Sequence, residues 1–111
     1  MNQISWSDFE KINLRVGTIL KVEDFPEAKK PAYKLEIDLG ELGVKKSSAQ
    51  ITELYAKQEL IGKQVICVTN FPKKQVGNYM SEVLTTGFVQ SNGSVILATP
   101  DKKCENGLKM A

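Results

Sequence analysis

Lysine doublets beside aromatic residues are the side chains in this sequence best suited to contact a ligand. Four doublets occur along the chain: Lys29-Lys30, Lys45-Lys46, Lys73-Lys74 and Lys102-Lys103. Phe71, Tyr79 and Met80 flank the third doublet. Aromatic rings beside lysines can stack on unpaired bases. Together with methionine, the same rings can hold apolar side chains of a peptide. These residue types indicate binding to a polymer, with nucleic acid and polypeptide as alternatives.

The residues on which most enzymes and metal sites depend are missing or scattered. Histidine, the commonest general base and metal ligand, is absent from the 111 residues. The two cysteines, Cys67 and Cys104, are far apart and do not have a metal-binding spacing. No glycine-rich motif that could hold a phosphate group is present. We therefore predict a binding protein that is not an enzyme and needs no metal or other cofactor.

Charge and hydropathy narrow the class of partner. The formal net charge is only +2, and Arg15 is the single arginine. Because arginine is the usual reader of guanine edges, we do not expect sequence-specific binding to a DNA duplex. No apolar stretch approaches the roughly 20 residues of a membrane span, and the first residues lack a signal-peptide pattern. Two free thiols suit a reducing compartment, so the sequence predicts a cytoplasmic protein without membrane insertion.

Apolar alternation and turn signals predict the elements that position these side chains. The clearest strand is 33–39, where apolar and charged residues alternate so that one face is buried. Gly17, inside the first strand, predicts a bulge or sharp bend, and Ser7 with Glu10 predicts a capped N-terminal turn. The tail from Pro100 is polar and predicted to be irregular. The main elements in order are strands at 14–22, 33–39 and 44–49, a helix at 52–60, strands at 64–70 and 81–90, and a short strand at 95–98.

Three strands, one helix and two further strands follow the order of an OB-fold. We therefore predict an all-β protein: a five-stranded Greek-key barrel with one helix between strands 3 and 4 and short N- and C-terminal extensions. An SH3-like barrel lacks that helix. Because 111 residues is close to the commonest size of one domain, residues 1–111 are predicted to form a single domain.

The ligand face of an OB-fold lies across strands two and three and the adjoining loops. Lysines from the third strand and from the loop between strands four and five would therefore converge there around Phe71, Tyr79 and Met80. The residues predicted to bind tRNA or another polyanion are Lys45, Lys46, Ser48, Asn70, Lys73, Lys74 and Ser81. Two alternatives stay open. The lysines could be ordinary solvated surface, and serine and asparagine near turns often bond their own backbone.

Several segments resemble the tRNA-binding domain family in the right order. Residues 13–19 (NLRVGTI) are similar to its opening strand and 33–40 (YKLEIDLG) to its second. Residues 62–66 are similar to its fourth strand, and Asn70-Phe71-Pro72 leads into a loop similar to its signature loop. The family includes stand-alone tRNA-binding proteins, domains of methionyl- and phenylalanyl-tRNA synthetases, and CsaA-type secretion chaperones.

Departures from the tRNA-binding members favour the CsaA-type chaperones. Residues 30–35 (KPAYKL), 47–52 (SSAQIT) and 81–84 (SEVL) resemble those chaperones. The resemblance implies a cytosolic homodimer that binds unfolded or export-bound polypeptides in support of secretion. Its implied partners are unfolded preproteins and the Sec export machinery. The alternative is a structure-specific tRNA-binding protein on the same fold.

Two aromatic residues lie in the N-terminal extension, outside the predicted barrel. Trp6 and Phe9 could form a local lid on the core. The family resemblance instead implies that they form the dimer interface, where aromatic residues are enriched.

Overall fold

A computed structural model describes all 111 residues and confirms the all-β OB-type barrel. Five antiparallel strands form the main sheet in the order β3-β2-β1-β4-β7. Two small hairpins, β5–β6 and β8–β9, extend from it. The strands are β1 Leu14–Asp24, β2 Tyr33–Asp38, β3 Val44–Ala49, β4 Gln64–Val68, β5 Lys74–Val76, β6 Tyr79–Ser81, β7 Leu84–Thr85, β8 Gly87–Val89 and β9 Val95–Leu97. Helices are short: α1 Trp6–Glu10, a 3-10 turn Gly40–Leu42, and α2 Lys57–Leu60.

The main sheet closes on itself through the segment that leads into β7. The backbone N–H groups of Glu82 and Val83 both donate to the carbonyl of Lys46 in β3, at 2.8 and 3.2 Å. The hydroxyls of Ser47 and Thr85 share a hydrogen bond of 2.8 Å. These contacts join the two edges of the sheet, so that the barrel is nearly closed.

The core consists of alternate residues of the strands, as the period-two pattern predicts. Tyr33, Leu35 and Ile37 of β2 are all buried. Gly17 lies against this layer, because a Cβ atom added there would be 2.5 Å from the Ile37 side chain. The predicted bulge occurs in β1 at Leu20, between Ile19 and Lys21. The role of Gly17 is therefore to let β1 pack closely against Ile37, and it does not form the bulge.

Three predicted elements differ from the structure. The helix predicted at 52–60 covers only Lys57–Leu60, and Lys57 forms an ion pair of 2.8 Å with Asp24 of β1. The predicted loop 71–78 contains β5, which turns at Gly77 into β6. The predicted strand 81–90 is broken into the end of β6, β7 and β8.

The cap of α1 differs from the prediction. Ser5, not Ser7, caps the helix, because its side chain accepts from the Asp8 N–H and the Asp8 carboxylate accepts from the Ser5 N–H. The C-terminal tail has no helix or strand of its own, as predicted, but residues 107–110 form hydrogen bonds along the first half of β1. The Val16 N–H donates to Leu108 at 3.0 Å, and the Met110 N–H donates to Leu14 at 2.9 Å.

A polar side-chain cluster holds this tail in place. The Arg15 guanidinium donates to the Gly107 carbonyl at 2.9 Å and to the Asn13 side chain at 2.7 Å. The Gln64 amide donates to the Cys104 carbonyl at 2.7 Å. The tail is thus an additional edge of the barrel. No helix in the chain has both the length and the apolar character needed to cross a membrane.

Candidate functional site

A groove of about 1070 Å³ opens beside the end of β3. We call it the main groove. Its walls come from the β1–β2 loop, the β5–β6 hairpin, the segment before β7, and the β8–β9 hairpin. Its apolar lining includes Ala32, Ala49, Ile51, Phe71, Val76, Val83, Leu84, Val89 and Val95. Several of these side chains belong to the barrel core, so the bottom of the groove is held rigidly.

The charge of the main groove is basic. Lys29, Lys30 and Lys74 line it, and none of the three forms an ion pair within 4.0 Å. Its two carboxylates are both compensated: Glu27 lies 3.9 Å from the Lys34 ammonium, and Glu82 lies 3.5 Å from that of Lys73. A ligand in this groove would therefore meet an apolar surface beside three uncompensated positive charges.

Glu82 is fixed by the backbone as well as by lysine. Its carboxylate accepts a hydrogen bond of 3.0 Å from the Lys46 N–H. That bond is the largest cause lowering the pKa of Glu82 below its usual value, and nearby Lys73 adds to it. Glu82 therefore remains ionised at neutral pH and fastens the segment before β7 to β3.

A smaller groove of about 290 Å³ lies next to the main one. We call it the side groove. It is lined by Lys45 and Lys73, and Glu82 also reaches it. Phe71 borders both grooves and is 55% exposed. Phe71 therefore does not pack inward into the core.

Tyr79 lines neither groove but covers the outer face of β2 and β3. Its hydroxyl donates to the Leu35 carbonyl at 2.9 Å. Its ring meets the edge of the Phe25 ring, with centroids 5.7 Å apart. The ammonium groups of Lys34 and Lys46 lie 5.6 and 5.7 Å from the Tyr79 ring centroid. Tyr79 thus fastens the β5–β6 hairpin to the sheet.

The surroundings of Tyr79 disfavour ionisation of its hydroxyl. Burial raises the pKa of Tyr79 to about 12, and the carboxylates of Glu36, Glu23 and Glu82 act in the same direction. The hydroxyl therefore remains a hydrogen-bond donor across the physiological pH range.

The predicted single patch is divided in the structure. Lys74, Ser48, Ser81 and Phe71 meet at the main groove, whereas Lys45 and Lys73 meet Phe71 at the side groove. The Lys46 ammonium lies over the Tyr79 ring. Met80, the next residue after Tyr79 in β6, is exposed. The four lysines therefore do not surround one apolar patch containing Phe71, Tyr79 and Met80, because the hairpin turns Tyr79 onto a different face.

Two of the predicted polar contacts are engaged within the protein. The Ser81 hydroxyl accepts from the Ser48 N–H at 3.1 Å, which ties β6 to β3. The Asn70 side chain accepts from the Asn13 N–H at 3.0 Å and donates to the Lys11 carbonyl at 2.7 Å. The alternative interpretation, bonding to the backbone, describes both residues.

Sequence reasoning left Lys29 and Lys30 outside the predicted site, although both line the main groove. Their position in the loop between strands one and two was a usable signal, since that loop adjoins the ligand face of an OB-fold. The apolar contribution of Val89 and Val95 had no such signal, because it depends on how the β8–β9 hairpin folds back.

The N-terminal aromatic residues lie outside the core. The Trp6 and Phe9 rings are 5.7 Å apart, and Trp6 is 67% exposed. Phe88 and Val89 of β8 are likewise exposed. A lid on the core therefore does not describe Trp6, and its role in a dimer remains a prediction.

Comparison with known proteins places this geometry in a family. A family profile described as "Putative tRNA binding domain" matches residues 14–109. The chain belongs to the tRNA-binding domain family. The matched region includes all nine strands, the whole main groove and all of the side groove except Asn13, so the candidate site is part of the family domain itself.

Two solved structures are similar over essentially the whole chain. The chaperone CsaA of Bacillus anthracis is 46% identical with a TM-score of 0.94, covering 99% of this chain and 100% of that one. The CsaA chaperone protein of Picrophilus torridus is 54% identical with a TM-score of 0.91, covering 98% and 100%. These structures confirm the resemblance to CsaA expected from residues 30–35, 47–52 and 81–84.

Curated relatives include much longer enzymes. The methionine–tRNA ligase of Methanocaldococcus jannaschii is 36% identical over 110 residues, or 99% of this chain. The chain spans only 17% of the length of that relative. The similarity is therefore to the tRNA-binding domain of the enzyme and not to the remainder of its length.

Proposed function

We propose that this chain is a CsaA-like chaperone that binds unfolded or export-bound polypeptides in the cytosol in support of protein secretion. It acts as a homodimer, has no catalytic activity of its own, and needs no cofactor. Its partners are unfolded preproteins and the Sec export machinery. The main groove is its polypeptide site.

One observation carries this proposal. The two CsaA structures are 46% and 54% identical to the chain and are matched over their entire length. The methionine–tRNA ligase is matched over 17% of its length at 36% identity. The higher sequence identity to the two CsaA structures, together with their close structural similarity, therefore favours the chaperone.

The geometry of the main groove supports the same function. An apolar bottom can receive the side chains that an unfolded polypeptide exposes, since burial of apolar surface is favourable at about 25 cal/mol per Å². Phe71 at the rim supplies a large exposed apolar surface where the two grooves meet. Such a site selects for exposed apolar side chains rather than for one sequence.

Binding of tRNA is the second candidate function, favoured by the family and by three unpaired lysines on one groove. The two functions differ in their response to salt. If three lysines neutralise three phosphates of a bound nucleic acid, counterions are released on binding. The affinity for that nucleic acid then falls about 20-fold between about 50 and 200 mM salt. A polypeptide bound mainly through apolar side chains should weaken by less than about threefold.

The test is a titration of the protein with a permanently unfolded, reduced and alkylated polypeptide, and separately with tRNA, at both salt concentrations. Micromolar or tighter polypeptide binding with little salt dependence is expected. Binding of tRNA alone, with a steep salt dependence, would replace the chaperone proposal by the tRNA-binding one.

Matched lysine variants then locate the site. Lys29→Ala with Lys30→Ala removes two charges from the main groove. For tRNA, we expect slower association and a flatter salt dependence of binding in this variant. Lys102→Ala with Lys103→Ala removes the same charge from an exposed segment outside both grooves. Equal effects of the two pairs would show that overall charge, not the groove, governs binding.

A further inference from the structure

The outer edge of β3 is paired at one end and open at the other. The Lys46 N–H donates to the Glu82 carboxylate, and the Lys46 carbonyl accepts from the Glu82 and Val83 N–H groups. The Ser48 N–H donates to the Ser81 hydroxyl. Beyond Ser48, the Gln50 N–H and carbonyl make no hydrogen bond within the protein.

The pairing of β3 with β2 determines where the intervening groups point. In an antiparallel ladder, alternate residues direct their N–H and carbonyl groups toward opposite sides. Because Lys46 bonds outward, Ser48 directs its groups outward as well, and Gln50, one residue beyond the end of β3 at Ala49, is the next residue in this alternation. The Gln50 N–H and carbonyl therefore extend this edge without a partner within the protein, and natural proteins otherwise cover or blunt such an edge.

This open edge borders the main groove. Ser48, Ala49, Gln50 and Ile51 all line it, and Gln50 is exposed to solvent. The edge offers backbone hydrogen bonds, while the groove offers apolar surface to side chains on one side of a bound strand. The two features together match the requirements of an added strand, in which backbone bonds give affinity and pockets receive alternate side chains.

The geometry points to an extended polypeptide segment that pairs with residues 48–50 as an added β-strand, directing alternate apolar side chains into the main groove. This inference rests on the proposed polypeptide-binding function and specifies how the polypeptide is held. A polypeptide is favoured because the open groups are backbone donors and acceptors at strand spacing.

The charge of the groove specifies the client further. Lys29, Lys30 and Lys74 are unpaired, whereas Glu27 and Glu82 are already compensated. A segment with acidic residues beside its apolar stretch would complement these lysines. Because backbone bonds do not depend on side-chain identity, this mode would accept many sequences.

The first test removes one backbone donor. Gln50→Pro lacks the N–H, and Gln50→Ala retains it. The probe is a fluorescent peptide of about ten residues in which valine and threonine alternate between terminal aspartates. We expect Gln50→Pro to weaken binding at least about fivefold and Gln50→Ala to change it by less than about twofold, provided both variants retain the parent's unfolding midpoint. Equal affinity of folded Gln50→Pro and the parent would overturn the added strand.

The second test leaves the protein unchanged, so it holds even if Gln50→Pro does not fold. Single N-methylated residues are placed along the same peptide, each removing one peptide N–H. An added strand predicts losses that alternate with period two, because only every second N–H faces β3. A flat profile would overturn the strand while leaving polypeptide binding intact. Failure of the parent to bind the peptide at all would overturn both proposals.

A nucleic-acid occupant gives a different pattern. Oligouridine would bind through the lysines, so Gln50→Pro should leave its affinity unchanged. Loss of oligouridine binding in that variant, with peptide binding retained, would assign the edge to RNA and contradict the inference.

Discussion

Replacement of Tyr79 by phenylalanine should lower the free energy of unfolding without removing the ring from the outer face of the sheet. The lost interaction is the 2.9 Å hydrogen bond from the Tyr79 hydroxyl to the Leu35 carbonyl. A bond of this kind contributes about 1 kcal/mol net. Tyr79→Ala also removes the packing against Phe25, and because the ring is only half-buried we expect about 2–3 kcal/mol in total.

The difference between Tyr79→Phe and the parent should depend on pH with a definite sign. The pKa of Tyr79 is raised to about 12, from its ordinary value of 10.0. Between these values the unfolded chain releases the phenolic proton and the folded chain retains it. The folded state then binds more protons, so the parent's free energy of unfolding falls as pH rises. The Tyr79→Phe variant has no such proton. The difference in free energy of unfolding between the two proteins should therefore have its full size at neutral pH and become smaller above pH 10.

Urea unfolding of both proteins at pH 7 and at several values above pH 10 measures this gap. Titrations shared by the two proteins, including that of Cys67, cancel in the difference. Equal stability at pH 7, or a gap that widens above pH 10, would refute the role assigned to the Tyr79 hydroxyl. Because the ring remains, Tyr79→Phe should bind unfolded polypeptide as tightly as the parent.

Three further outcomes are expected. Gly17→Ala should destabilise the barrel by at least about 2 kcal/mol in urea, because its Cβ would lie 2.5 Å from the buried Ile37 side chain; an unchanged midpoint would contradict this. Only Cys104 should react with a thiol reagent in the native protein, since Cys67 is buried and burial raises its pKa to about 12. Sedimentation at micromolar concentration should give twice 12.3 kDa, with Trp6→Ala shifting it toward the monomer.

Regular alternation made much of the barrel predictable from sequence. Strand β3 has the predicted bounds, and β2 ends one residue earlier than predicted, at Asp38. The predicted helix at 52–60 forms only in its last part. The residues around Leu54 form a turn, and Leu54 is exposed instead of packing on a helical face. Short apolar runs do not distinguish these outcomes, since the decision depends on distant partners.

The candidate site was less predictable than the fold. The position of Phe71 and Lys74 at the main groove followed from their loop in an OB-fold. The displacement of Tyr79 did not, because it depends on a hairpin that forms between Lys74 and Ser81 and bonds to β3. Such side-by-side placement of short segments leaves no periodic trace in the sequence.

The tail that runs along β1 also bears on how the protein can be made. Residues 107–110 supply the partners of Leu14 and Val16, about ninety positions earlier in the chain. During synthesis, this side of the first half of β1 therefore has no partner until residues 107–110 have left the ribosome. Until then its backbone groups stay open to other strands, so a ribosome stalled before residue 107 would display a nascent chain prone to mispairing.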